Sequence, residues 1–310
     1  MKILLTLALA SAVGCNTLDL STPLGVPASP TLSVTANTVD TLAFNLPYTS
    51  TNNAHQQLDV FRPHGVTGVI PAVVCIHGGY WRGGDKNLSP NDLCWRNLAR
   101  GMAVVALNYR LSSDSVWPAQ MHDIFTAIRC IRAKASLYGI DAARIGVLGT
   151  SAGAQLALMT GVTSDTSLLG LSLGCKGRRS DVKAVVSVSG PTDLIAMPSQ
   201  LALDGCPANP KVTSSVMQLL GLTSLTTVQD SIKVASISPV NNIRRLIPIA
   251  MWHGDVDCVV AYQQMTNMSS AMALRGAVVT VNIAPGLGHG IKDPAIADAA
   301  SSFMYTQLTH

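Results

Sequence analysis

Residues 144–163 read Arg-Ile-Gly-Val-Leu-Gly-Thr-Ser-Ala-Gly-Ala-Gln-Leu-Ala-Leu-Met-Thr-Gly-Val-Thr, a short apolar strand running into Gly149-Thr150-Ser151-Ala152-Gly153 and then into an Ala/Leu-rich helix. A serine hydroxyl is a poor nucleophile at neutral pH, and a sharp strand-to-helix turn lifts it out of the fold to meet a base and a substrate. Gly149 and Gly153 leave room where strand and helix backbones pass close together. The helix beginning at Ala152 aims free N–H groups at the place where an oxyanion would form. The five-residue pattern alone is insufficient, because Gly170-Leu171-Ser172-Leu173-Gly174 also satisfies it. That second match follows a Thr/Ser/Asp stretch and leads into Cys175-Lys176-Gly177-Arg178-Arg179, with no strand before it or helix after it, so it reads as a surface loop.

Outward from this turn the chain alternates strands and helices. Val39–Leu46 and Gln57–Phe61 read as strands, and Pro71–Ile76, Met102–Leu107, Arg144–Leu148, Val182–Val188, Ile247–Trp252 and Ala277–Ile283 as further, mostly buried ones. Helices are expected over Leu88–Arg100, Pro118–Tyr138, Ser214–Leu220, Tyr262–Leu274 and Ala295–Leu308. This order predicts a mostly parallel eight-stranded sheet with helices on both faces, which places ligands at the carboxyl ends of its strands. Residues 193–245 are too long for a plain crossover and are expected to hold a small cap, with an inert elaboration as the alternative.

The remaining chemistry falls where such a sheet needs it. His77-Gly78-Gly79-Tyr80-Trp81 follows a strand, and paired glycines let N–H groups face a cleft, so the N–H groups of Gly79, Tyr80 and Ala152 are the expected oxyanion donors. Gly286-Leu287-Gly288-His289-Gly290 follows the last strand and offers His289 as general base. His253-Gly254-Asp255-Val256-Asp257 offers two carboxylates to orient it; Asp257 is preferred to Asp255 because it lies deeper in the loop. His55, His64 and His310 lie in loops or the tail, His122 lies on a helix, and His77 and His253 are expected to brace loops. Trp81 is a candidate substrate contact; Trp117, Met197 and Tyr109 are weaker ones. The order Ser, Asp, His differs from the chymotrypsin and subtilisin orders.

From about Gln57 onward these motifs resemble an α/β-hydrolase of the esterase/lipase type. His77-Gly78-Gly79-Tyr80-Trp81 is similar to the His-Gly-Gly-x-Trp signature of carboxylesterase, feruloyl or acetyl-xylan esterase and kynurenine formamidase-like members, and Asn108-Tyr109-Arg110-Leu111 with Pro118 to Asp123 resembles the same group. The resemblance implies the α/β-hydrolase fold, a serine carboxylic-ester hydrolase working through Ser151, His289 and Asp257, and no cofactor or metal. Tyr80 stands where lipase-like relatives carry a third glycine, which favours small or medium esters. An arylformamidase-like amide hydrolase is the nearest alternative, and a non-catalytic surface lipoprotein is the alternative of another class.

The 310 residues are 48% hydrophobic and 12% charged with a net charge of +4, enough for a large core and without the clustered basic face that nucleic acid requires. Nucleic acid is therefore not expected as a partner, and the resemblance implies a small-molecule ester; the oligomeric state is not legible. Met1-Lys2 followed by Ile3 to Ala10 has the form of an export signal, and Ala12-Val13-Gly14-Cys15 resembles a bacterial lipobox. Residues 1–14 are read as a lipoprotein signal peptide, Cys15 as the lipidation site, 15–35 as a flexible tether and 36–310 as the catalytic domain. The alternative is cleavage after Ala10 and secretion. Six further cysteines in an exported chain permit disulfides. Cys75 is expected as a buried thiol and Cys175–Cys206 as a bridge, with Cys94, Cys130 and Cys258 unassigned.

Overall fold

The computed structural model describes residues 38–163 and 173–310. The signal, Cys15, the whole tether with its boundary to the domain, and Ser172 lie outside the described residues. Eight strands form one sheet in the order β1-β2-β4-β3-β5-β6-β7-β8. They are β1 (Val39–Pro47), β2 (Gln57–Pro63), β3 (Ile70–Ile76), β4 (Ala103–Leu107), β5 (Ile140–Thr150), β6 (Val185–Val188), β7 (Ile249–Gly254) and β8 (Val279–Ala284). The first pairs antiparallel with the second, and the second antiparallel with the fourth; every other pairing is parallel.

Alternation along the strands divides the core in two. Ala72, Val74 and Ile76 of β3 face one layer with the helices Ala119–Ala133 (α2) and Ala152–Val162 (α3), whereas Val73 and Cys75 face another with Arg96–Ala99 (α1) and Pro294–Thr309 (α8). The third strand lies between β4 and β5, so the chain leaves it towards one side through α1 and later crosses to the other through α2. This reversal opens a crevice at the carboxyl ends of β3 and β5, where an open α/β sheet holds its ligand.

Two expected helices are shorter in the structure. Residues 88–95 are not helical because Pro90 restricts Ser89, and the Asp92 carboxylate accepts from the Ser89 hydroxyl and N–H in a tight turn. The second helix stops at Ala133, and the chain turns through Gly139 at φ +59° into β5. Between β6 and β7 the insertion carries α4 (Met197–Leu203), α5 (Pro210–Leu220) and α6 (Val228–Ser236). The last of these starts with a capping box, Thr227 accepting from the Asp230 N–H while Asp230 accepts from the Thr227 N–H. The helix α7 (Gln263–Ala273) completes the set.

The expected cysteine arrangement is corrected. Cys75 is bridged to Cys94, Cys130 to Cys175, and Cys206 to Cys258, with Cα separations of 6.1, 5.1 and 5.3 Å. Cys175 meets the second helix, not the insertion, so the Cys175–Cys206 pairing fails on position; similarity of loop composition did not reveal which loops are neighbours. No helix among the described residues is long and apolar enough to cross a membrane.

Candidate active site

Ser151 sits between β5 and α3 at φ +54° and ψ −124°, a conformation that costs an L-residue energy and holds only where its surroundings enforce it. The enforcement is visible on both sides. Its N–H donates to the Val188 carbonyl at 2.9 Å, and its own carbonyl accepts from the N–H groups of Ala154 and Gln155. A side chain at Gly149 would strike the Gly153 carbonyl, and one at Gly153 would strike the carbonyls of Ile76 and His77. The two glycines thus let the helix lie directly on the ends of the third and fifth strands.

His289 arrives from the loop after β8. Its Nδ1–H donates to Asp257 Oδ2 at 2.8 Å, and its Nε2 accepts from the Ser151 hydroxyl at 2.8 Å. The acceptor-only carboxylate fixes this tautomer. Asp257 is buried in the loop after β7, where Oδ1 accepts from the N–H groups of Val259 and Val260 at 2.8 and 3.0 Å. Burial alone would raise its pKa, but hydrogen bonds from His253 and His289, the charge on His289 and the Val260 N–H outweigh it, holding the carboxyl well below the usual carboxylate range. Asp255, the other carboxylate of this loop, points outward and accepts from the Gly286 N–H at 2.7 Å.

On the opposite side of Ser151, the segment after β3 turns back on itself, with Gly79 at φ +117° and Tyr80 and Trp81 both at φ +58°. Gly79 takes this form because its carbonyl accepts from both Arg82 and Gly83, and a Cβ there would strike the Gly83 carbonyl. The N–H groups of Gly79, Tyr80 and Ala152 have no acceptor among the described residues. Such free donors beside a nucleophile suit a developing negative charge.

Ser151, His289, Gly79 and Tyr80 border a cavity of about 380 Å³. Its floor is apolar, built by Leu93, Ala106, Leu148, Val188, Ile291 and the Cys75–Cys94 bridge, and its rim is polar, with Asp85, Asn87, Asn91, Asp92 and Lys292. A model of one family, BD-FAE, matches residues 58–272, more than two thirds of the chain, which include Ser151, Asp257 and the turn after β3 but not the loop that carries His289.

The chain belongs to the BD-FAE family.

Solved structures of similar proteins agree on architecture. A solved structure described as a truncated form of carbohydrate esterase from gut microbiota is 30% identical, covers 92% of this chain and 99% of that one, and superposes with a TM-score of 0.77. A bifunctional GH43-CE protein of Bacteroides eggerthii is 25% identical over 89% of this chain and 36% of its own, with a TM-score of 0.76. Esterase LipC of Mycobacterium tuberculosis is 26% identical over 243 residues, which are 76% of this chain and 57% of LipC. The chain therefore spans just over half the length of that curated relative. Its fold is that of the α/β-hydrolases.

In this BD-FAE member Trp81 is not a cavity wall, which corrects the expectation that it contacts substrate. Its indole is buried, and Nε1–H donates to the Gln155 side-chain oxygen at 3.0 Å. Gln155 in turn donates to the Ile237 carbonyl of the insertion at 2.7 Å. Tyr109, Met197 and Trp117 also lie outside the cavity lining. Tyr109 stacks on the His77 ring at 4.4 Å between centroids and donates its hydroxyl hydrogen to the His77 carbonyl. Burial lowers the pKa of His77, whose Nδ1–H donates to the Gly78 carbonyl at 2.8 Å.

The insertion contributes no residue to the cavity lining. It stands beside the turn after β3, with Lys211 Nζ 4.6 Å from the centroid of the Tyr80 ring and Arg82 donating to the Ser214 hydroxyl. The Cys206–Cys258 bridge ties it to the residue following Asp257. Two supporting groups escaped the sequence reading. Asp59 and Lys86 form a buried ion pair at 2.8 Å, and Asn108 holds both Asp85 and the Lys86 N–H. A lone carboxylate inside the apolar run Leu58 to Phe61 was the available signal for the first.

Proposed function

We propose that this protein is a serine carboxylic-ester hydrolase. The observation that carries the reading is the unbroken chain Ser151 Oγ to His289 Nε2 and His289 Nδ1 to Asp257, at 2.8 Å for each link, beside three unpaired backbone donors. Ser151 attacks the ester carbonyl while His289 takes its proton. The tetrahedral oxyanion rests on the N–H groups of Gly79, Tyr80 and Ala152, and Asp257 holds the imidazole in register and stabilises its charged form. His289 then gives the proton to the leaving alkoxide, the alcohol departs, and water repeats the steps in reverse to release the acid.

The cavity supports a division of the substrate. Its apolar floor suits a small or medium acyl group, and its polar rim suits a hydroxyl-rich alcohol. The similarity over 92% of the chain to a structure described as a carbohydrate esterase favours acylated sugars as the class. Ser151→Ala is expected to lower hydrolysis of 4-nitrophenyl acetate by at least about 10⁴-fold, and Ser172→Ala to leave it unchanged. Equal activity in Ser151→Ala and wild type refutes the assignment. A screen of acetylated sugars, feruloyl esters, long-chain esters and formylkynurenine then ranks the alcohols and separates ester from formamide chemistry.

We also propose export and lipid attachment at Cys15. Three disulfides are consistent with an oxidising compartment. In a bacterial host, labelled palmitate incorporated by the wild type and lost in Cys15→Ala supports the anchor; processing after Ala10 supports secretion instead.

A further inference from the structure

Asp257 receives two imidazoles on one oxygen. Besides His289, the ring of His253 approaches Oδ2, with Nε2 at 3.1 Å and also 2.8 Å from the Val260 carbonyl. Both neighbours of Nε2 accept only, so Nε2 carries the hydrogen and shares it between them. Nδ1 of the same ring is buried and has no partner among the described residues, which leaves Nε2–H as the tautomer that satisfies the most groups. The ring itself is 1% exposed at the end of β7, so it has no alternative position in solvent.

We infer that His253 is a positioning residue that, through its hydrogen bond to Asp257 Oδ2, sets how strongly that carboxylate holds His289. The inference rests on the esterase reading above. A carboxylate oxygen shared between two donors gives less of its charge to either one. With His253 present, Asp257 orients His289 while stabilising its protonated form less than an undivided carboxylate would. Removing the second donor strengthens the pull on His289, so its charged form persists to higher pH and the free base is scarcer at a given acidic pH.

The charged surroundings make this a local effect. The loop after β7 supplies Asp257 and the outward-facing Asp255; the loop after β8 supplies His289, the exposed Lys292 and Asp293, whose carboxylate caps α8; and the segment after β3 brings His77, Asp85 and the Asp59-paired Lys86 to the same cavity as His289. β6, β8, α3 and α7 contain no charged residue, and Asp298 of α8 is paired with Arg96. No other charge on these elements competes for Asp257.

The test is the pH dependence of kcat/KM for 4-nitrophenyl acetate in His253→Leu, His253→Met and His253→Gln, with a fluorophosphonate label on Ser151 as a check on the assembled site. The donor-free Leu and Met variants are expected to move the acid limb to higher pH by about half a unit or more. Their plateau should fall about 10-fold, because Asp257 loses one of the hydrogen bonds that hold it in place to orient His289. Gln, which keeps a side-chain N–H, is expected to restore the limb. Labelled Leu or Met variants with an unmoved acid limb, or a Gln variant indistinguishable from them, overturn the inference. So does an imidazole nitrogen NMR spectrum of the wild type placing the hydrogen of residue 253 on Nδ1, a measurement that needs no variant to fold. Failure of wild-type Ser151 to react with the label overturns the esterase reading itself, and the inference with it.

Discussion

At the residue scale, Lys86, buried beside the cavity, is an unforgiving group. Its ammonium is buried against Asp59 and its N–H against Asn108, directly after the segment that carries the free donors. Breaking one half of a buried pair leaves the other charge without compensation. Lys86→Met is expected to cost about 3–5 kcal/mol in urea denaturation, and Asp59→Leu/Lys86→Met together much less. Asp257 supplies a pH prediction at the same scale. Its folded-state pKa is depressed, so its contribution to stability is present above the unfolded value near about 4 and is lost as pH falls through the lower folded value. Asp257→Asn should therefore flatten the dependence of the unfolding midpoint on pH below about 4, measured by thermal melts from neutral pH to strong acid.

At the scale of elements, the approach of α3 to β3 is the contact that positions Ser151, the proposed nucleophile. Gly153→Ala places a methyl group against the carbonyls of Ile76 and His77, both in backbone that cannot rotate away. The expected cost is about 1–3 kcal/mol, accompanied by a fall in kcat greater than any rise in KM, because the helix start and its free N–H are displaced. The same contact explains what the sequence revealed. A serine in a strand-to-helix turn, a histidine after the last strand and a carboxylate between them are signals of local turns and chain order, so the three side chains that the structure links by hydrogen bonds, Ser151, His289 and Asp257, could be singled out without coordinates. Trp81 could not, because an aromatic residue after two glycines reads equally as cavity wall or as core. Only the position of Gln155 one helical turn beyond Ser151 decides it. The helix over 88–95 failed for a related reason. Its periodicity is real, yet Pro90 and the Ser89–Asp92 turn outweigh it locally.

For the whole molecule, pairing of cysteines is a property of the folded chain and was not legible from loop composition. Each bridge joins segments that the sheet brings together from 19, 45 or 52 positions apart. The Cys206–Cys258 bridge closes the longest span and ends beside Asp257. Cys206→Ser/Cys258→Ser is expected to lose about 4 kcal/mol by the chain-entropy argument, read as a lower midpoint in guanidinium chloride. Its hydrolysis rate below the transition should stay within a few-fold of wild type if the hydrogen bonds on Asp257 alone hold the acid.

The amide of Gln155 has a further meaning for anyone who would shorten this chain. One side chain on the nucleophile helix receives from the indole of Trp81 and gives to the carbonyl of Ile237, while the Leu219 carbonyl receives the Trp117 N–H. Excising residues 193–245 to make a minimal hydrolase would orphan an amide hydrogen on the buried Gln155 side chain and the backbone N–H of the half-buried Trp117. A compact version would have to be redesigned outward from positions 81, 117 and 155 with apolar neighbours, and trimming at the surface would not suffice.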